Sequence, residues 1–300
     1  MKPAALEQLA GFRQYLAKER RLSSHTDSNY ARDLKALVRF CDQQSIADWP
    51  ALEHAQVRLF AARSHAGGLA PRSVQRRLSA VRSFLNFLIR EGDLKHNCAV
   101  EVRAPKGVRR LPGTVDADSM ARLLEIPGDD ALAVRDRALM ELLYSSGLRL
   151  AEVVGLDLQD LNAADRTVRV LGKGSKTRVL PVGRKALSAL SAWLKMRSAL
   201  VKQDTPAVFV GASGRRLGPR AIQKRVEYWA VRQGLPMHVH PHLFRHSFAS
   251  HLLESSGELR AVQELLGHAD ISTTQVYTHL DFQHLARIYD ATHPRARRKA

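Results

Sequence analysis

Arg149, Lys173, His242, Arg245, His268 and Tyr277 are the residues whose types add up to a reaction. A phosphodiester under attack gains negative charge on its non-bridging oxygens. Two arginines can clamp those oxygens through paired hydrogen bonds and stay charged at any working pH. Histidines can donate further hydrogen bonds or move a proton. A phenol can attack the phosphorus and become a phosphotyrosine. The departing sugar oxygen needs a proton, which a lysine on a hairpin can deliver. Cationic side chains do the charge work, so this set calls for no metal and no other cofactor. Each residue alone says little, because a lone arginine in a helix turn is usually a surface charge and a lone tyrosine usually packs.

Two other local readings compete. His238, His240, His242, His246 and His251 form a histidine crowd that invites zinc. The spacing lacks the glutamate of a zinc protease, no cysteine lies nearby, and no common structural finger fits. The stretch Gly172-Lys173-Gly174-Ser175-Lys176 looks superficially like a phosphate loop. A true P-loop lies between a strand and a helix, and here two strand patterns flank it.

The elements that position these groups follow from pattern. Pro241 suits a first helical turn, which puts His242 and Arg245 three apart on one face. Phe248, Leu252 and Leu253 anchor that helix in a core. Gly267 closes the next helical pattern and leaves His268 in a turn. Ser272-Thr273-Thr274 caps a short helix before Tyr277. Upstream, Asp116 or Asp118 caps a helix to Leu124, and a second helix spans about 131–145. Arg149 and Glu152 come just after Ser146-Gly147. Residues 167–171 and 177–180 pair as a β-hairpin with Lys173 near its tip. Helices at about 184–201 and 219–233 flank a short strand, Val208-Phe209-Val210. An amphipathic helix spans Phe282 to Tyr289, and 294–300 is a basic end.

The first third is helical. Leu6, Leu9, Phe12 and Leu16 share a stripe over 4–19, and Tyr30, Leu34, Leu37 and Val38 one that ends near Asp42. A third helix spans roughly 54–65. The fourth begins at Pro71-Arg72-Ser73 and runs to Arg90. Its first turns carry Arg72, Arg76 and Arg77, suited to a DNA backbone or a major groove, although a solvated basic face is the plainer alternative. Residues 97–115 are Pro-, Gly- and Arg-rich without periodicity and read as a basic linker, with Lys106, Arg109 and Arg110 along phosphates. The domains expected are 1–96, helical and DNA-binding, and 116–300, α+β and catalytic. Together the fold expected is mainly α with a small β-sheet, forming a C-shaped clamp on DNA.

Charge supports that reading. The 300 residues hold 47 Lys and Arg against 29 Asp and Glu, a net charge of +18. Residues 1–105 carry +7 and the remainder +11, so a basic tail alone does not explain the balance. A polyanion touched by both halves would. No apolar run is long enough to span a membrane, and the N-terminus lacks the features of a signal peptide. Cys41 and Cys98 have no CxxC spacing and read as reduced thiols, so a cytoplasmic location is expected.

The residues from Gly147 to Glu152, the Gly172-Lys173-Gly174 hairpin, His242-Leu243-Phe244-Arg245-His246, Leu265-Leu266-Gly267-His268 and Tyr277 together resemble the motif set of the tyrosine recombinases, the phage-integrase family. The order and the short interval from His268 to Tyr277 match. The resemblance covers essentially the whole chain and is closer to the Xer subfamily. The run from Ile271 to Ala286 and the ending His293-Pro294-Arg295-Ala296 resemble the branch that works with a XerD-like partner. Phe244, where a smaller aliphatic is more usual, should point into the core. The resemblance implies that Tyr277 is the nucleophile and forms a 3′-phosphotyrosyl DNA. It implies that Arg149 and Arg245 hold the phosphate with His242 and His268 assisting, and that Lys173 is the acid. It further implies a double-stranded DNA recombination site, a heterotetramer, and control by a septal DNA translocase of the FtsK type. A mobile-element integrase, a topoisomerase-like enzyme and a non-catalytic architectural DNA-binding protein are the alternatives.

Overall fold

The computed structural model describes residues 1–18, 24–107, 114–172, 177–201, 204–235, 239–258, 262, 265 and 266. The chain divides into two compact units, Met1–Arg110 and Leu111–Ala300.

The first unit packs α1 (Pro3–Lys18), α2 (Ser24–Gln43), α3 (His54–Ala66) and α4 (Pro71–Arg90) around one core. Pro71 sits in the first turn of α4, where its missing N–H costs nothing. Phe84 of α4 lies edge-on to Phe12 at 5.4 Å and to Trp49 at 4.8 Å. The Trp49 indole N–H donates to the Ala5 carbonyl at 2.8 Å and ties α1 down. The inward stripe of α1 is Ala5, Phe12 and Leu16, while Leu6 is 44% exposed, against expectation. Leu6 is one position, about 100°, round the helix from Ala5.

The expected linker is shorter than 97–115. Ala99 and Val102 are buried in the first core. Arg82 Nε donates to the Ala99 carbonyl at 2.9 Å, its Nη2 to the Val102 carbonyl, and Asn97 Nδ2 to the Arg82 carbonyl at 3.0 Å. Residues 97–102 therefore close the helical unit. Pro and Gly nearby masked the apolar contacts that hold them there.

The second unit contains α5 (Ala117–Leu124), α6 (Ala131–Ser146), α7 (Leu150–Gly155), β1 (Leu161–Asn162), β2 (Thr167–Leu171), β3 (Thr177–Pro181), α8 (Arg184–Leu200), α9 (Pro219–Arg232) and α10 (Pro241–Ser256). Asp116, rather than Asp118, caps α5 by accepting the Ser119 N–H at 2.8 Å. Asp130 caps α6 through the Leu132 and Ala133 N–H groups. Nearly all of α6 is buried, which makes it the axis of this unit. Buried Asp136 on α6 accepts from Arg135, from Arg225 Nε at 2.5 Å and from the Trp229 indole at 2.8 Å, which fastens α9. The sheet is antiparallel in the order β1-β2-β3, with Val168 opposite Leu180 and Leu171 opposite Thr177.

Val208-Phe209-Val210 is not a strand. It forms only isolated bridges on either side, Asp157 to Ala207 and Val210 to Arg216. Its backbone groups are shared out instead: Val208 N–H goes to the Leu156 carbonyl and the Val208 carbonyl takes the Trp193 indole N–H. Burial gave the segment its strand-like sequence without a partner ladder. Among the described residues no helix is long and apolar enough to cross a membrane.

Candidate active site

The second unit brings two arginines to one carboxylate and sets a third beside them. α6 ends at Gly147, whose φ of 57° is left-handed. Two residues on, Arg149 stands in extended backbone at the start of the short helix α7. Glu152, in the first turn of α7, accepts the Arg149 backbone N–H at 2.8 Å and the Arg149 Nη1 at 3.0 Å. Arg178 on β3 reaches the same carboxylate, with Nη1 at 2.9 Å and Nη2 at 3.0 Å. Arg245 enters from α10. Its Nη1 donates to the Gly147 carbonyl at 2.6 Å and its Nη2 to the Leu266 carbonyl. Arg149 Nη2 reaches toward the same Leu266 carbonyl at 3.4 Å.

Three guanidiniums and a single carboxylate leave an excess of positive charge here. Burial, together with the charges of Arg149 and Arg178, pushes the Arg245 guanidinium down to about 10. It remains protonated at neutral pH, and an arriving anion relieves the repulsion that lowers it. Arg149 is 37% exposed and offers donors to that anion. Fork-shaped donors of this kind bind tetrahedral oxyanions in two-point fashion.

His242 lies one turn before Arg245 on α10, exposed, as the spacing predicts. His240 is the N-cap of that helix and Pro241 occupies its first turn. His246 is exposed, while His251 is buried and bonded to the Tyr144 hydroxyl at 2.7 Å. Of the sequence's crowd, His240 and His242 stay ring to ring at 6.3 Å, His251 is turned into the core, and His238 lies outside the described residues. Among the described residues no three His, Cys, Asp or Glu groups gather as a metal site would require. Phe244 is fully buried, as expected.

Residues 114–284 match the Phage integrase family, and residues 9–92 match its N-terminal SAM-like domain. The chain belongs to the phage integrase family. It is 51% identical over 296 residues to the tyrosine recombinase XerC of Serratia marcescens, covering 99% of this chain and 97% of that one. It is 56% identical over 292 residues to the XerC of Pseudomonas fluorescens, covering 97% of each. In fold it resembles the XerH recombinase solved in a post-cleavage complex with a palindromic difH substrate, with a TM-score of 0.70 and 23% identity over 94% of this chain and 84% of that one. A lambda integrase fragment solved as a dimer on a core site aligns with a TM-score of 0.68 and 18% identity, over 90% of this chain and 98% of that one. The enzyme is a Xer-type tyrosine recombinase, and its reaction is DNA strand exchange. Its two-part organisation, a helical N-terminal SAM-like domain followed by the catalytic domain with a small sheet, is that of the family.

Of the six residues singled out for chemistry, Arg149, His242 and Arg245 lie in described segments, and the two arginines converge. Lys173, His268 and Tyr277 lie outside the described residues, as do Arg109, Arg110, the expected helix at 282–289 and the basic end. Arg72 and Lys106 are exposed in the first unit. Arg76 and Arg77 are engaged within it: both pair with buried Asp33, and Arg77 also donates to Ser64 Oγ at 2.9 Å. In this unit Glu152 and Arg178 complete the arginine cluster, and the sequence reading gave neither a role. Glu152 three residues after Arg149 is the spacing of a side chain that turns back on its helix start, so that signal was present. Arg178 entered the sequence reading only as part of the return strand 177–180.

Proposed function

We propose that this recombinase cuts and rejoins duplex DNA at a specific site, with Tyr277 as nucleophile. The Tyr277 oxygen attacks the scissile phosphorus, forming a 3′-phosphotyrosyl bond as the bond to the 5′-oxygen breaks. Lys173 gives the departing 5′-oxygen its proton. Arg149 and Arg245 hold the non-bridging oxygens, and His242 and His268 assist. The 5′-hydroxyl of the partner strand then attacks the phosphotyrosine and releases Tyr277. The covalent link conserves the bond energy, so the chemistry needs no ATP and no metal. The observation that supports this reading is the convergence of the Arg149 and Arg245 guanidiniums on the one carbonyl of Leu266, the residue two before His268.

In this reading the basic N-terminal domain and linker, through Arg72, Lys106, Arg109 and Arg110, contact phosphates, and the two domains clamp the duplex. Arg76 and Arg77 contribute field there rather than free side chains. Two such subunits and two XerD-like partners act as a heterotetramer in the cytoplasm and resolve chromosome dimers, with a septal translocase of the FtsK type as the controlling motor. The helix at 282–289 docks on a neighbouring subunit. The reading draws on relatives that share more than half their residues with this chain.

The test is covalent trapping. The protein is incubated, with and without a XerD-like partner, on a nicked dimer-resolution site that loses a short fragment after cleavage. A denaturant-resistant protein–DNA band that vanishes in Tyr277→Phe is expected. Recombination that survives Tyr277→Phe overturns Tyr277 as the nucleophile, and no band despite intact binding overturns the reading in favour of an architectural role.

A further inference from the structure

Glu152 spends half of its hydrogen bonding on a residue that has no part in the proposed chemistry. Its Oε1 takes Arg149 Nη1 and Arg178 Nη1, and its Oε2 takes the Arg149 backbone N–H and Arg178 Nη2. The carboxylate is buried, and Arg178 is partly buried, 13% exposed. Among the described residues Glu152 is the sole hydrogen-bond partner of the Arg178 guanidinium, and Arg178 Nε, also buried, has none. Arg178 is thus aimed at Glu152 and at nothing else described.

That arrangement decides how the charge of Arg149 is used. A buried carboxylate facing a single arginine draws it into a closed pair and neutralises it. A second arginine on the far side shares the carboxylate and leaves the more exposed Arg149 with uncompensated charge. The influence of Arg178 extends to the other arm of the clamp, because its charge is one of those that act on Arg245. The geometry points to Arg178 as a positioning residue: from β3 it holds Glu152 and keeps the Arg149 guanidinium turned and charged for the scissile phosphate. This rests on the proposed role of Arg149, and it assigns Arg178 no contact with substrate.

The experiment uses the full chain on the nicked site and compares Arg178→Met, Arg178→Lys, Glu152→Gln and the Met–Gln double variant. The readouts are the single-turnover rate of covalent-complex formation, DNA affinity, and a thermal melt. Arg178→Met is expected to slow adduct formation about 10- to 100-fold, the scale of a misplaced reacting group, with DNA affinity unchanged. Adding Glu152→Gln removes the charge that captures Arg149, so the double variant should be faster than Arg178→Met alone. A purely structural role predicts rates that only follow the thermal melt from variant to variant, because contacting residues do not lose stability independently. Arg178→Lys keeps a cation beside Glu152 and should retain most of the rate, which separates charge from folding. A wild-type rate in the Met variant, multiplied losses in the double variant, or a Lys variant as slow as the Met variant would overturn the inference. Absence of adduct from the wild-type chain would instead overturn the recombinase mechanism on which it rests.

Discussion

Gly147 meets Phe248 so closely that a β-carbon on the glycine would stand 2.5 Å from the ring Cδ1. The glycine ends α6 in left-handed backbone, and its carbonyl accepts Arg245 Nη1. One residue therefore stops the central helix, seats α10 through Phe248, and fixes one arm of the arginine clamp. No other residue type fits both the conformation and the space.

Gly147→Ala should accordingly lower stability by about 2–4 kcal/mol, combining left-handed strain with overpacking against the ring. Relief of the clash must move Phe248 or the glycine, and either displaces Arg245. Single-turnover adduct formation is expected to fall further than the melt explains. A variant that melts and cleaves like the parent would show that the two helices are not held at this point.

His251 should make stability depend on acidity. Burial pushes its imidazole below the ordinary 6.5, against the opposing charges of Glu254 and Asp116. As the pH falls below 6.5 the unfolded chain takes up a proton that the folded one resists. The stabilisation is thus present above 6.5 and lost as the pH falls toward the lowered folded value. Thermal melts from about pH 7.5 to about pH 5 should decline, and His251→Gln should flatten that slope. An unchanged slope in His251→Gln would assign the acid loss to other groups.

Local chemistry made most elements legible. Ser146-Gly147 closes α6, Pro241 opens α10, and the alternation in 167–171 and 177–180 marks the hairpin. The site was legible where spacing along one helix carried it, as with His242 and Arg245. It was not legible where partners come from different elements. Glu152 and Arg178 are 26 positions apart, and only the packing of the hairpin on α7, through β2, brings them together. Residues 97–102 failed for the same reason, since Val102 lies in the core because of what α4 presents to it. The helical periodicity of α4 showed where Arg76 and Arg77 begin, but not that Asp33 of α2 would take both.

That last arrangement separates the arginines of α4. Arg77 is 14% exposed, pairs with Asp33, donates to Ser64 and lies 5.5 Å from the Phe60 ring. Arg72 is exposed one turn earlier. Arg77→Ala leaves buried Asp33 with only Arg76 and exposes the Phe60 contact, so it should cost about 2–3 kcal/mol of stability. Arg72→Ala should leave the melt unchanged. If the exposed basic face meets phosphates, DNA binding weakens in Arg72→Ala by the same factor on every sequence, and its salt dependence falls by about one unit of slope. The parent protein should itself bind with a steep salt dependence, because its net charge of +18 is spread over both domains. Melts and salt titrations of the two variants side by side check this. An Arg72→Ala protein with the parent's salt slope would remove Arg72 from the DNA surface, and an Arg77→Ala protein with the parent's melt would show that Asp33 needs only one of its two arginines.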